Sequence, residues 1–282
     1  MARRAARDRW VQVRSVRAPV IEAGPADTQE AALFVHGNPG SCLDWEDLVE
    51  RVGDAGIRAV SFDLPGFGRA DKPSSFPATV PAYGTFIEEA RRQLEIERAH
   101  LVVHDFGGPF GLTWAGRHPE ALASVTIVNA PPVAGYRWYP LAHVWRTPLA
   151  GELLHLTLIK PTFVMLAKRG HPRGLPAAFL DRMWHDYDRG TRRTVLKLYR
   201  ATDARAMSPV PPSVFRELDR PALVVWGMHD AYIPRRFAER HREAFPNLTF
   251  VELPDSGHFP MVDDPDGLAG TVLPFLKQVV GT

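Results

Sequence analysis

The chain has 282 residues, 45% of them hydrophobic, which is enough to bury a sizeable core as one or two units. Its 34 Lys and Arg against 32 Asp and Glu leave a formal charge of +2, which gives no reason to expect nucleic acid or another polyanion as partner. A single cysteine, Cys42, excludes a disulfide framework within the chain and a thiolate metal cluster, and no apolar run approaches the roughly 20 residues of a membrane span.

The first nine residues, Met1 to Arg9, are basic and short of apolar side chains. They lack the apolar run of a secretory signal and read as a frayed tail. The expectation is a cytoplasmic protein without a membrane partner. Residues 10–21 alternate and read as a hairpin at a sheet edge. Residues 31–35 form a buried strand, followed by the turn His36-Gly37-Asn38-Pro39-Gly40 and a helix over 43–52. A second strand over 58–63 leads into a Gly- and Pro-rich loop to Pro73, in which Asp63 and Asp71 read as structural. An amphipathic helix over 83–94 precedes a strand over 100–104, a helix over 107–117 and a strand over 124–128. From about Pro131 to Pro212 no buried strand is legible. Helical patterns appear instead around 149–158, 177–186 and 191–202, and Pro209 to Pro212 marks the exit. The alternation then resumes with a strand over 222–226, an amphipathic stretch over 237–245, a strand over 248–253 and a helix over 268–280.

Continuous apolar strands between helices signal a mostly parallel, doubly wound α/β sheet covered on both faces. Residues 1–130 and 213–282 are assigned to this core, and 131–212 to a helical cap inserted into it. Such a cap would shape a pocket at the C-terminal edge of the sheet, where open α/β sheets bind ligands.

Three polar residues stand at strand ends in a telling order. Val103-His104-Asp105-Phe106-Gly107-Gly108 falls where a strand turns sharply into a helix, the place of a nucleophile elbow. An Asp there is also a ready helix N-cap. Asp230 closes the strand ending Trp226-Gly227, and His258 lies in the loop Asp255-Ser256-Gly257-His258-Phe259-Pro260. Nucleophile, acid, histidine is the chain order of α/β-hydrolases. Asp230 is then expected to orient the imidazole and stabilise its charged form. The backbone N–H groups of Asn38 and Phe106 are the candidate oxyanion donors, and His36 reads as a buried, hydrogen-bonded imidazole. The 11 histidines are scattered, with no His-x-x-x-His pair beside a Glu, so neither metal nor organic cofactor is expected.

With these motifs the chain resembles the α/β-hydrolase superfamily over nearly its whole length. More narrowly it resembles the group with an aspartate nucleophile, the epoxide hydrolases and haloalkane dehalogenases, whose cap follows the sixth strand. The resemblance implies attack by Asp105 on a saturated carbon, because a carboxylate leaves an ester that water activated by His258 can cleave, whereas serine would leave an ether. Asp105 is expected to be ionised at neutral pH by its ordinary pKa. For an epoxide, the resemblance implies a cap tyrosine as acid. Tyr199, in Leu198-Tyr199-Arg200, is the candidate, with Tyr136, Tyr139 and Tyr187 as alternatives. For a halide, it implies N–H donors from the Asn of an H-G-N-P turn, here Asn38, and from a Trp after the nucleophile. Phe106 takes that second place and has no side-chain N–H, which leaves Trp145 or Trp184 to compensate. A fluoroacetate-type reading lacks arginines after Asp105. The reading is therefore an epoxide hydrolase acting on a small apolar organic substrate. A haloalkane dehalogenase is the first alternative and a non-catalytic binding protein on the same fold the second.

Overall fold

The computed structural model describes residues 6–205 and 207–281. Eight strands form one sheet: β1 (Ala6–Val13), β2 (Val16–Ala23), β3 (Glu30–Val35), β4 (Ala59–Phe62), β5 (Arg98–His104), β6 (Leu122–Val128), β7 (Ala222–Gly227) and β8 (Thr249–Leu253), in the order β1-β2-β4-β3-β5-β6-β7-β8. β1 and β2 form the expected antiparallel hairpin at one edge, β2 pairs antiparallel with β4, and all later pairings are parallel. The fold class read from the sequence is the one observed. The basic tail is shorter than expected. Ala6 to Arg9 belong to β1, and Arg9 forms an ion pair with Glu22 at 2.9 Å. Residues 1–5 lie outside the described residues.

The central strands are mostly apolar because both faces are covered, and the polar side chains of Ser61, His100 and Ser124 among them are hydrogen-bonded. β4, β6 and β7 are buried at every position, β3 at all but its first intermediate residue and β5 at all but its exposed first residue. Helices α1 (Glu46–Asp54) and α11 (Pro265–Val279) pack together on one side of the sheet, and α2 (Val80–Gln93) and α3 (Gly107–Arg117) on the other. A short 3-10 turn, Cys42–Trp45, precedes α1, and the stretch expected over 237–245 is a 3-10 helix, Arg235–Glu243.

Between β6 and β7 lie α4 (Pro140–Arg146), α5 (Ala150–Thr157), α6 (Lys160–Ala167), α7 (Ala177–Asp186), α8 (Arg189–Ala201) and α9 (Pro212–Leu218), with no strand among the described residues there. The short helix α10 (Pro260–Asp263) follows the loop that carries His258. Among the described residues no single helix is long and apolar enough to cross a membrane.

The strand order fixes where a site can form. From β3 the chain steps outward to β4, then crosses back to β5 on the other side of β3. Loops leaving the C-terminal ends of β3 and β5 therefore diverge and open a crevice between them. Asn38 follows β3 and Asp105 follows β5, so both stand at that crevice.

Candidate active site

Asp105 sits at the turn from β5 into α3 with φ +48°, a left-handed conformation that costs a non-glycine residue energy and persists only where its surroundings impose it. Those surroundings are tight. A Cβ on Gly107 would stand 2.3 Å from the Val35 carbonyl oxygen, and one on Gly37 would stand 2.4 Å from the Asp105 Cβ. Two glycines thus let the β3 loop and the start of α3 close on the carboxylate. The Asn38 backbone N–H donates to Asp105 Oδ1 at 2.8 Å, and the Phe106 N–H also bonds to this carboxylate. Both expected oxyanion donors therefore meet Asp105.

His258 Nε2 lies 3.7 Å from Asp105 Oδ2, and its Nδ1 is 2.8 Å from Asp230 Oδ2. Asp230 is saturated with donors. Oδ1 accepts the N–H groups of Tyr232 and Ile233, each at 2.8 Å, and Oδ2 accepts from His258 and from Asn129 Nδ2, also at 2.8 Å. Four donors converge on this one buried carboxylate and fix the imidazole ring. Burial alone would depress His258, but the carboxylates of Asp230 and Asp105 outweigh it and hold the imidazole above its ordinary value. Burial pushes Asp105 above the usual carboxylate range, although His258 and the two N–H groups oppose it. This corrects the expectation of an ordinary pKa at Asp105, because exposure is not legible in a motif.

Asn129, which carries no role in the sequence reading, follows β6 and ties three elements together. Besides Asp230, its Nδ2 donates to the Gly227 carbonyl at 3.2 Å, and its Oδ1 accepts the Gly227 N–H at 2.8 Å. A polar residue directly after the buried β6 is the signal that could have found it. His104 is a second such residue. Burial, then the neighbouring His258, pushes it well below its ordinary value, so its neutral Nε2–H donates to the His258 carbonyl at 2.6 Å. The third is His171, between α6 and α7. Its Nδ1 lies 2.5 Å from Asp263, whose carboxylate also accepts from the Ser256 hydroxyl and the Gly257 N–H. The segment between β6 and β7 is thereby tied to the loop that carries His258.

A cavity opens onto Asp105 and His258. Its other polar walls are Asn38, Tyr139, Tyr187 and Tyr232, and its apolar wall comes from Leu141, Trp145, Leu154, Leu158, Phe163, Leu166 and Met183. Tyr199 is fully buried behind this surface. Its hydroxyl is 2.8 Å from that of Tyr139, and its ring meets Phe106 at 5.2 Å. Tyr139 lines the cavity, whereas Tyr199 does not. Of the alternatives, Tyr136 donates to the Tyr232 carbonyl and Tyr187 engages His155, each at 3.0 Å. Burial raises Tyr139 and Tyr199 well above the ordinary phenol, Tyr139 further through its partner and Tyr199 further through Asp105, so both keep their protons at neutral pH. The Asn38 side-chain amide, at both atoms, and the Trp145 Nε1 have no hydrogen-bond partner among the described residues although buried. Trp184 packs on Phe163 and is not part of the cavity wall. His36 accepts the Leu64 N–H at 3.0 Å, Asp63 caps the N–H groups of Cys42 and Arg69, and Asp71 binds the Arg17 N–H. These three serve loop structure, as expected.

The α/β hydrolase family profile matches residues 32–271, and the chain belongs to that family. The chain is 26% identical to cis-3-alkyl-4-alkyloxetan-2-one decarboxylase of Xanthomonas campestris, over 92% of this chain and 91% of that one. It is 24% identical to haloalkane dehalogenase 2 of Mycobacterium tuberculosis, over 94% and 93%. It is also 24% identical to epoxide hydrolase 3 of Xenopus tropicalis, over 87% and 71%. The solved structure of the epoxide hydrolase CorEH without ligand superposes with a TM-score of 0.79 at 16% identity, covering 96% of this chain and 98% of that one, which establishes a common fold. The protein is an α/β-hydrolase-family enzyme whose relatives include an oxetanone decarboxylase, haloalkane dehalogenases and an epoxide hydrolase.

Proposed function

We propose that this enzyme is an epoxide hydrolase that works through an ester on Asp105. The observation that carries the reading is the pair of phenols, Tyr139 and Tyr199, hydrogen-bonded at 2.8 Å with Tyr139 on the cavity that holds Asp105 and His258. An opening epoxide leaves an alkoxide that must be protonated, and two protonated phenols supply that proton. Asp105 Oδ2, the oxygen that the Asn38 N–H does not hold and that faces His258, attacks the ring carbon. The carbon–oxygen bond breaks, and its electron pair takes a proton from Tyr139 while Tyr199 shares its own. Tyr139 is thus the direct acid and Tyr199 its partner, which reverses the weight placed on Tyr199 by the motif alone. His258 Nε2 then deprotonates a water that attacks the ester carbonyl. The oxyanion develops on Oδ1, which already accepts the Asn38 N–H, with the Phe106 N–H beside the same carboxylate. Residues 131–212 act in this reading as a cap over the sheet edge.

A second reading rests on a separate observation. The unpartnered Asn38 amide and Trp145 indole N–H both face the cavity, and buried donors left without acceptors are costly, about 1–3 kcal/mol each. Two N–H groups suit a departing halide, and Trp145 would then replace the donor that Phe106 lacks.

The His258→Gln protein separates the readings. Incubated with epoxides, haloalkanes and β-lactones, it should stall at the ester, and intact-mass spectrometry with peptide mapping should find the adduct on Asp105. An adduct with the mass of the whole epoxide supports the first reading. One with the mass of the haloalkane less hydrogen halide supports the second. Absence of any adduct that an Asp105→Ala control also lacks would overturn both. Tyr139→Phe should slow epoxide opening by about 10²–10⁴-fold and leave haloalkane displacement nearly unchanged.

A further inference from the structure

Of the seven exposed large hydrophobic residues among the described residues, six fall between Val144 and Met165. Leu149 and Leu156 are 81% and 83% exposed, and Leu153, Ile159 and Met165 are more than half exposed. Isolated exposed apolar residues are ordinary, but a cluster in one short stretch marks an interaction surface. Apart from Val144 on α4, these residues lie on α5 and α6 or on the residues that cap them, and the two helices meet at 110°. Their inner faces carry Leu154, Leu158, Phe163 and Leu166 into the cavity wall, so this pair of helices is apolar both toward the cavity and toward solvent.

We propose that the outer face of α5 and α6 docks the enzyme on an anionic lipid surface. Its exposed side chains would then enter the boundary between headgroups and acyl chains, with the cavity directly behind them. Three observations select this occupant. Each helix is eight residues long, about 12 Å, far too short to span a bilayer, so the pair lies in the interface rather than across it. Residues 149–169 hold one acidic side chain, Glu152, against Lys160, Lys168 and Arg169. Glu152 is already held by Arg200 at 2.7 Å and Lys160 by Asp181 at 2.9 Å, while Lys168 and Arg169 are exposed at the end of α6, placed for anionic headgroups. A second copy docking by the same face would set these cations against each other, with no uncommitted carboxylate in the stretch to meet them. The sequence reading excluded a span and expected no membrane partner. Surface docking departs from the second expectation and leaves the first intact. An apolar substrate partitioned into the bilayer would then reach the cavity past α5 and α6 without crossing water.

The test is cosedimentation of the full chain with vesicles of phosphatidylcholine and phosphatidylglycerol, and with phosphatidylcholine alone. Binding should be stronger to the mixed vesicles and weaken with salt. The double variant Leu153→Ser, Leu156→Ser should bind about tenfold less or weaker still, with an unchanged thermal midpoint, because both side chains are exposed. Lys168→Glu should reduce only the anionic preference. Equal sedimentation of wild type and double variant, or no binding to either vesicle, would overturn the proposal. So would a concentration-dependent dimer in light scattering that the double variant abolishes, which would assign the face to a second copy. Vesicle binding involves no turnover, so it stands or fails independently of the Asp105 chemistry.

Discussion

At Asp105 and His258 the protein moves two titrations in the same direction, and the consequence falls differently on the two chemical steps. On the proposed mechanism attack requires ionised Asp105, whose carboxyl is raised above its ordinary value by burial, so ester formation declines as pH falls through that raised value. Ester hydrolysis requires neutral His258, whose imidazole Asp230 holds up, so this step declines as the imidazole takes up a proton in mild acid. As pH is lowered from alkaline to mildly acidic, wild-type enzyme quenched during turnover should carry an increasing fraction of ester. Rapid-quench mass spectrometry reads this directly, and an ester fraction that is flat or falls on acidification contradicts the assignment. Asn129→Ala should act on the same step. It removes one of four donors from Asp230 and frees the His258 ring, and should slow hydrolysis about tenfold or more while leaving alkylation unchanged. The residues that face the reacting groups were legible as motifs because turn chemistry demands them: a polar residue at a strand end, beside glycine. Asn129, His104 and His171 were not, because each acts through a partner distant in the chain. The order of the two phenols also depended on which hydroxyl reaches the cavity, which spacing does not encode.

Among the elements, α2 and α3 are joined by Glu88. Its buried carboxylate accepts from Trp114 Nε1 on α3 at 2.8 Å, and from Arg91 and Arg92 on its own helix. Burial pushes this carboxyl up, but the three hydrogen-bonding partners prevail and lower it to about 2. Its stabilising contribution is therefore complete above about 4.5 and is lost as pH falls toward 2. Glu88→Ala should cost about 1–3 kcal/mol in urea unfolding near neutral pH, since the buried indole N–H loses its acceptor, and the difference from wild type should shrink in acid. The helix α3 appears with the limits expected from sequence, and strands β3 to β8 agree to within a residue or two because most of their positions are apolar. The stretch before α7 was less legible. α4 is only seven residues, and α6 carries Phe163 and Leu166 toward the cavity but Met165 outward, so its apolar residues show no helical period. Periodicity marks a helix with one wet face, and α6 is apolar on two.

Across the molecule, the segment between β6 and β7 is anchored to the rest by several contacts: Arg182 to the buried Asp44 at 2.8 Å, Lys72 to Asp188 at 2.8 Å, Thr191 Oγ1 to the Gly66 carbonyl at 3.0 Å, and His171 to Asp263. Unfolding should accordingly be a single transition. Tryptophan fluorescence, which samples Trp138, Trp145 and Trp184 in that segment, should coincide with far-UV circular dichroism in urea; separated midpoints would show that the segment melts alone. Burial raises the Asp44 carboxyl and Arg182 opposes that rise, so Arg182→Ala leaves a buried carboxylate uncompensated and should cost about 3 kcal/mol. The sheet class was legible at this scale from alternation alone. The strand crossing that creates the crevice was not, because it is a property of connections rather than of any one segment.

The clamp on Asp105 Oδ1 has a consequence for the fate of oxygen atoms. On the proposed mechanism the free Oδ2 enters the bond to substrate, and water later attacks the carbonyl carbon rather than the alkyl carbon. The new hydroxyl of the first product molecule is therefore an atom of the protein, and the solvent oxygen stays behind in the Asp105 carboxylate. In ¹⁸O-water the first turnover should release unlabelled product and leave the isotope in the peptide containing Asp105. Label reaches the product only once that same carboxylate has reacted again, so each enzyme molecule carries an isotopic record of its own first cycle.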